Sequence, residues 1–111
     1  MFSKENMTNL LFICSLNKQR SPTAEDLFKD SEKHVVKSAG TSLFARKRIK
    51  VEEIEWADKI FVMEDCHRRY IERKFTYFKG KEIIVLDIPN IYYRNNPQLV
   101  NILKEKLGKY L

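Results

Sequence analysis

The chain has 111 residues, a formal charge of +6, 43% hydrophobic residues and 32% charged residues, a balance that fits one soluble globular domain over 1–111 with a core of its own. Its apolar runs are too short to span a bilayer, and the polar, mixed-charge stretch Met1 to Asn9 is unlike a signal peptide. With two cysteines far apart in sequence, a disulfide framework is not expected; reduced thiols and a cytoplasmic setting are, with no membrane partner.

The elements follow from the pattern of apolar residues. Thr8 to Cys14 forms a buried strand. Ser21 can cap a helix over about 22–32, with Pro22 in its first position and Ala24, Leu27 and Phe28 on one face. Val35-Val36 opens a second strand that ends at Ser38-Ala39-Gly40, followed by a basic irregular stretch over 41–49. Val51, Ile54 and Trp56 mark a short helix, with Trp56 in the core. Lys59 to Met63 is a third strand, and the charged run containing Tyr70, Ile71 and Phe75 a helix. Glu82 to Leu86 is a fourth strand ending in Asp87. Asn96-Pro97 then caps a helix carrying Leu99, Val100, Leu103, Leu107 and Tyr110 at helical spacing.

Four strands alternating with helices, without repeats or linkers, predict an α/β fold: a single-domain doubly wound four-stranded parallel sheet flanked by helices. In such a sheet the carboxyl ends of all strands share one edge, where ligands bind. Cys14, Ser38, Met63-Glu64 and Asp87 therefore become candidates for one pocket.

One stretch carries the chemistry. Cys14 and Arg20 bracket five residues, Ser15, Leu16, Asn17, Lys18 and Gln19, and Ser21-Pro22 follows. Alone, Cys14 would be a small core residue and Arg20 half of a surface ion pair. In the order strand, loop, guanidinium and helix start they form an anion trap with a thiol at its floor. The N–H groups of the loop and of the helix N-terminus converge on the anion, and the same field favours thiolate. Arg20 offers a planar fork for two phosphate oxygens. Ser21 can donate its hydroxyl to the Cys14 sulfur. The +6 charge suits anions in general; the groups Arg46-Lys47-Arg48 with Lys50, and Arg68-Arg69 with Arg73-Lys74, fit a solvated or substrate-attracting rim rather than a nucleic-acid site. Asp65-Cys66-His67 sets three potential ligands side by side, but no second cluster completes a metal site, and neither metal nor cofactor is expected. His34 begins a strand and has no evident role.

The loop resembles the signature of the low-molecular-weight protein tyrosine phosphatases: Cys, five residues and Arg-Ser-Pro after the first strand. The resemblance covers most of the chain. Ser38-Ala39-Gly40-Thr41-Ser42 looks like that family's segment after its second strand, and Ala57 to Glu64 looks like its third strand. Asp87-Ile88-Pro89 followed by Tyr92-Tyr93 is similar to its acid loop, and the nearest match is a short bacterial subgroup of predicted tyrosine phosphatases. The resemblance implies Cys14 as nucleophile, Arg20 as phosphate clamp and Asp87 as general acid. It also implies that Asn17 braces the loop, that Ser38 supports it, and that Phe44 with Tyr92 or Tyr93 walls the pocket. Four positions depart from the pattern. Leu16 replaces a loop glycine, Gln19 replaces a second loop cysteine, Lys18 adds a cation at the mouth, and Asn90 stands where a second acid would be expected.

The implied activity is metal-independent hydrolysis of phosphotyrosine, on a protein or a small aryl phosphate, through a cysteinyl phosphate. Two rivals share the loop. An arsenate reductase would need relay cysteines, and only Cys66 remains. A non-catalytic module binding phosphate or RNA would keep the cradle without efficient chemistry.

Overall fold

A computed structural model describes residues 7–75 and 81–111; Met1 to Asn6, most of the polar opening segment, lie outside the described residues. In chain order the elements are β1 (Thr8–Cys14), α1 (Arg20–Phe28), β2 (His34–Gly40), α2 (Val51–Trp56), β3 (Lys59–Val62), α3 (Asp65–Lys74), β4 (Ile83–Val85) and α4 (Pro97–Leu107). The strands form one parallel sheet in the order β2-β1-β3-β4. Among the described residues no helix is long and apolar enough to cross a membrane.

The uninterrupted apolar run of β1 reflects burial on both faces. Side chains alternate, so Leu10, Phe12 and Cys14 join Ala24 of α1 and Leu99, Leu103 and Leu107 of α4. Leu11 and Ile13 join Ile54 of α2 and Ile71 of α3 on the opposite face. Phe12 stacks on Phe28 and Phe61 with ring centroids 6.0 and 5.4 Å away, locking α1 and β3 to the central strand.

Several boundaries differ from expectation: β3 ends at Val62, β4 spans only Ile83–Val85, α3 stops at Lys74 before Phe75, and both ends of α1 move. Helix α1 starts at Arg20, and Ser21 is not its cap: the capping position is Gln19, which makes no side-chain cap bond. Ser21 instead turns its hydroxyl inward to Cys14 and Asn17. Pro22 therefore falls in the first turn, where a missing N–H costs no helical bond. The helix also stops at Phe28, because the Ser31 hydroxyl accepts the N–H groups of Lys33 and His34 and turns the chain into β2.

Beyond β4, pairing continues around one residue. Leu86 N–H donates to the Val62 carbonyl and Ile88 N–H to the Met63 carbonyl, while Asp87 between them takes a φ of 58°. Asp is one of the few side-chain-bearing residues that tolerate this left-handed region. Lys106 Nζ holds the turn by donating to the carbonyls of Leu86 (2.7 Å) and Asp87 (3.1 Å).

Candidate active site

Strand β1 delivers Cys14 to the sheet edge, and the loop 15–19 turns back into α1. The segment after β2 clasps that loop from outside. Thr41 N–H donates to the Cys14 carbonyl (3.0 Å), Ser42 N–H to that of Ser15 (2.9 Å), and Arg46 N–H to that of Leu16 (2.9 Å). Arg46 Nε donates to the Asn17 carbonyl (3.0 Å). A loop whose carbonyls are bound outward turns its N–H groups to its concave side. None of the N–H groups of Ser15 to Gln19 has a partner among the described residues. The clasp needs a glycine at its root: a Cβ on Gly40 would lie 2.5 Å from the Ser15 carbonyl oxygen and 2.7 Å from Ala45 Cβ. The loop's left-handed residue is Asn17 (φ 56°), so Leu16 is accommodated without the freedom of glycine.

Asn17 is fully buried and holds two hydroxyls at once. Its Nδ2 donates to Ser21 Oγ (2.8 Å) and to Ser38 Oγ (2.9 Å), and the Ser38 hydroxyl donates in turn to Glu25 Oε1 (2.5 Å). Ser21 Oγ, which accepts from Asn17, lies 2.9 Å from Cys14 Sγ and 3.5 Å from the Ala39 carbonyl; towards a thiolate the hydroxyl can only donate. A hydroxyl so placed is able to stabilise negative charge on the sulfur.

Arg20 is 2% exposed, and its charge is met by Glu64: Nη1 donates to Glu64 Oε2 (2.7 Å) and to the Ile88 carbonyl (2.8 Å). Its Nε and Nη2 make no hydrogen bond among the described residues. The guanidinium is thus fixed through one nitrogen while two remain to grip an oxyanion.

His67, also buried, sits behind the loop. Glu64 N–H donates to its Nδ1 (3.0 Å), so Nε2 carries the proton of the neutral ring and donates to Ser15 Oγ (2.9 Å). Burial first, and then the Arg20 charge, pull His67 from 6.5 down to about 4, with Glu64 opposing. Because the unfolded chain binds this proton more readily, the associated stability is complete above pH 6.5, falls between there and about 4, and is gone below. We predict that urea denaturation between pH 7 and 4.5 shows a loss on the order of 2 kcal/mol that His67→Gln removes. Equal pH slopes in the two proteins would show that His67 does not control this window.

Cys14 (2% exposed) closes a concavity of about 140 Å³, which is also lined by Ser15, Leu16, Lys18, Gln19, Arg20 and Asn90. The lining contains two cations and no carboxylate.

The arrangement of sheet, clasp and loop has counterparts among solved structures. The low molecular weight protein tyrosine phosphatase SP-PTP from Streptococcus pyogenes superposes with a TM-score of 0.75 at 18% identity, covering 95% of this chain and 94% of its own. This is the fold of the low molecular weight protein tyrosine phosphatases. The tyrosine phosphatase Wzb from Escherichia coli, solved with phosphate, gives 0.74 at 20% identity, with 94% and 96% covered. The YwlE arginine phosphatase from Geobacillus stearothermophilus gives 0.69 at 21%, with 93% and 92% covered. No protein-family profile and no curated protein matches the chain.

On this phosphatase fold Cys14, Ser15, Leu16, Lys18, Gln19 and Arg20 meet at one pocket, with Asn17, Ser21 and Ser38 bracing it from behind. Asp87 does not line this pocket; at a left-handed φ of 58° it lines a separate groove with Val85, Leu86, Glu105, Lys106, Lys109 and Tyr110. Phe44 does not line the pocket either: it is 82% exposed on the clasp. Tyr92 and Tyr93 stand in an adjoining groove that shares Gln19 and Asn90 with the pocket.

Four participants were not assigned roles from sequence: Glu64 behind Arg20, His67 behind Ser15, Arg46 on the Asn17 carbonyl, and Asn90 in the pocket itself. Glu64 lay within reach of the strand-end argument, and Asn90 was visible as a departure from the acid loop. Potential ligand atoms of Glu64, Cys66 and His67 lie within 4.8 Å of one another. Both His67 nitrogens and one Glu64 oxygen are already engaged, so the cluster serves the loop rather than an ion.

Proposed function

We propose that the chain is a metal-independent phosphatase that cleaves phosphotyrosine, or a small aryl phosphate, through a cysteinyl phosphate. The Ser21 hydroxyl held 2.9 Å from Cys14 Sγ, inside a cradle of free N–H groups, carries this reading. Cys14 thiolate attacks phosphorus opposite the leaving oxygen; the S–P bond forms as the P–O bond breaks. Arg20 Nε and Nη2 and the loop N–H groups hold the three equatorial oxygens as charge spreads across them. Water then displaces the thiolate, which Ser21 stabilises again. Tyr92, Tyr93 and the exposed Leu16 offer apolar surface for an aryl ring beside the mouth. The Lys18 ammonium in the lining repels a cationic leaving group such as the guanidinium of phosphoarginine. Fold likeness to tyrosine phosphatases supports the assignment.

Iodoacetate tests it. We predict that p-nitrophenyl phosphate is hydrolysed in the presence of a chelator, that activity disappears in step with carboxymethylation of Cys14, and that inorganic phosphate slows both. Undiminished turnover after complete modification of Cys14 would refute the mechanism.

A further inference from the structure

Resting on the phosphatase reading, we infer that the same site hydrolyses acyl phosphates, mixed anhydrides of a carboxylic acid and phosphate, in preference to phenyl phosphate. The leading observation is that no carboxyl group lines the pocket to protonate a departing oxygen. Asn90 occupies its rim, and an amide donates a hydrogen bond without giving up its proton. Asp87 lines the other groove, where Lys106 Nζ donates to its backbone carbonyl. Glu64 is ion-paired to Arg20 and is not part of the lining. The single ring proton of His67 is committed to Ser15 Oγ.

A phenol expelled without a proton departs as a basic anion, a slow step, and general acids ordinarily contribute about 10²- to 10⁴-fold there. A carboxylate departs as a weakly basic anion and needs no proton. Lys18 supplies what such a leaving group does need: a cation in the lining, exposed, and with no ion-pair partner among the described residues. The concavity of about 140 Å³ admits a phosphoryl group with a compact acyl group.

In the first step the Cys14 thiolate forms the S–P bond while the P–O bond electrons leave with the carboxylate. In the second, water attacks phosphorus, the S–P electrons return to sulfur, and both water protons end on the released phosphate system as dihydrogen phosphate. No oxidant, metal or external base is needed for the balance.

Phosphate release from acetyl phosphate, p-nitrophenyl phosphate and phenyl phosphate, corrected for spontaneous hydrolysis, tests the inference on the full chain. Expected is a kcat/KM for acetyl phosphate about 100-fold or more above that for phenyl phosphate. Lys18→Met is expected to lose about tenfold on acetyl phosphate, as for a screened, exposed charge, while Lys18→Arg retains the rate. Phenyl phosphate turned over as fast as acetyl phosphate would overturn the inference, as would a Lys18→Met enzyme of unchanged rate. Hydrolysis of p-nitrophenyl phosphate without that of acetyl phosphate would overturn it and leave the phosphatase reading standing. Inactivity on all three would overturn both.

Discussion

Cys14→Ser is expected to leave p-nitrophenyl phosphate turnover about four orders of magnitude or more below wild type, the scale on which removal of a nucleophile acts. The substitution shortens the reach to phosphorus and replaces a thiolate with a neutral hydroxyl that no base in the pocket activates. It leaves the rest of the site in place. Asn17 still bridges Ser21 and Ser38, the clasp from Thr41 to Arg46 still binds the loop carbonyls, and Glu64 still fixes Arg20. Anion binding should therefore survive the loss of chemistry. Phosphate should raise the melting temperature of the variant in a concentration-dependent way, as it does for any ligand that binds only the folded state. A variant retaining a few per cent of activity would place the nucleophile elsewhere.

Asn90→Asp is expected to accelerate phenyl phosphate turnover by about 100-fold, the lower end of what a positioned general acid supplies. Asn90 lines the pocket together with Cys14 and Arg20, so a carboxyl there faces the space a leaving oxygen must cross. The gain should be confined to poor leaving groups. Phenyl phosphate should benefit most and acetyl phosphate least, flattening the dependence of rate on leaving-group basicity. It should also fade as pH rises and the new carboxyl ionises, adding a descending limb to the pH–rate profile. An unchanged phenyl phosphate rate in a folded variant would show that position 90 does not reach the leaving oxygen.

The sheet was legible because its signals are local. Continuous apolar runs such as Leu10 to Ile13 mark strands buried on both faces, and alternation with amphipathic segments fixes the parallel arrangement. The loop was legible for the same reason, since Cys14, Asn17, Arg20 and Ser21 lie within one turn of chain. What stayed hidden depends on side-chain direction at the ends of distant elements. Asp87 stands at the expected edge of the sheet, yet its φ of 58° interrupts the strand alternation and it lines a neighbouring groove. His67 was weighed as a metal ligand beside Cys66. Its actual partner is Ser15, 52 positions away, a pairing that exists only once β3 lies against β1. Phe44 illustrates the converse: counting along a resemblance places a residue in sequence, and the clasp then leaves its ring in solvent.

The clasp around the loop also sets the order in which the site can be assembled. The residues from Cys14 to Arg20 are neighbours in sequence, but the carbonyls of Cys14 to Asn17 are met by Thr41, Ser42 and Arg46, which arrive when β2 pairs with β1. A refolding chain in which that crossover has not closed holds a thiol on a loop with no reason to turn its amides inward. Anion affinity therefore belongs to the non-local stage of folding, the stage that loop-closure entropy makes slow. Phosphate offered early in refolding is therefore expected to meet no site, and phosphate offered late to meet one already rigid.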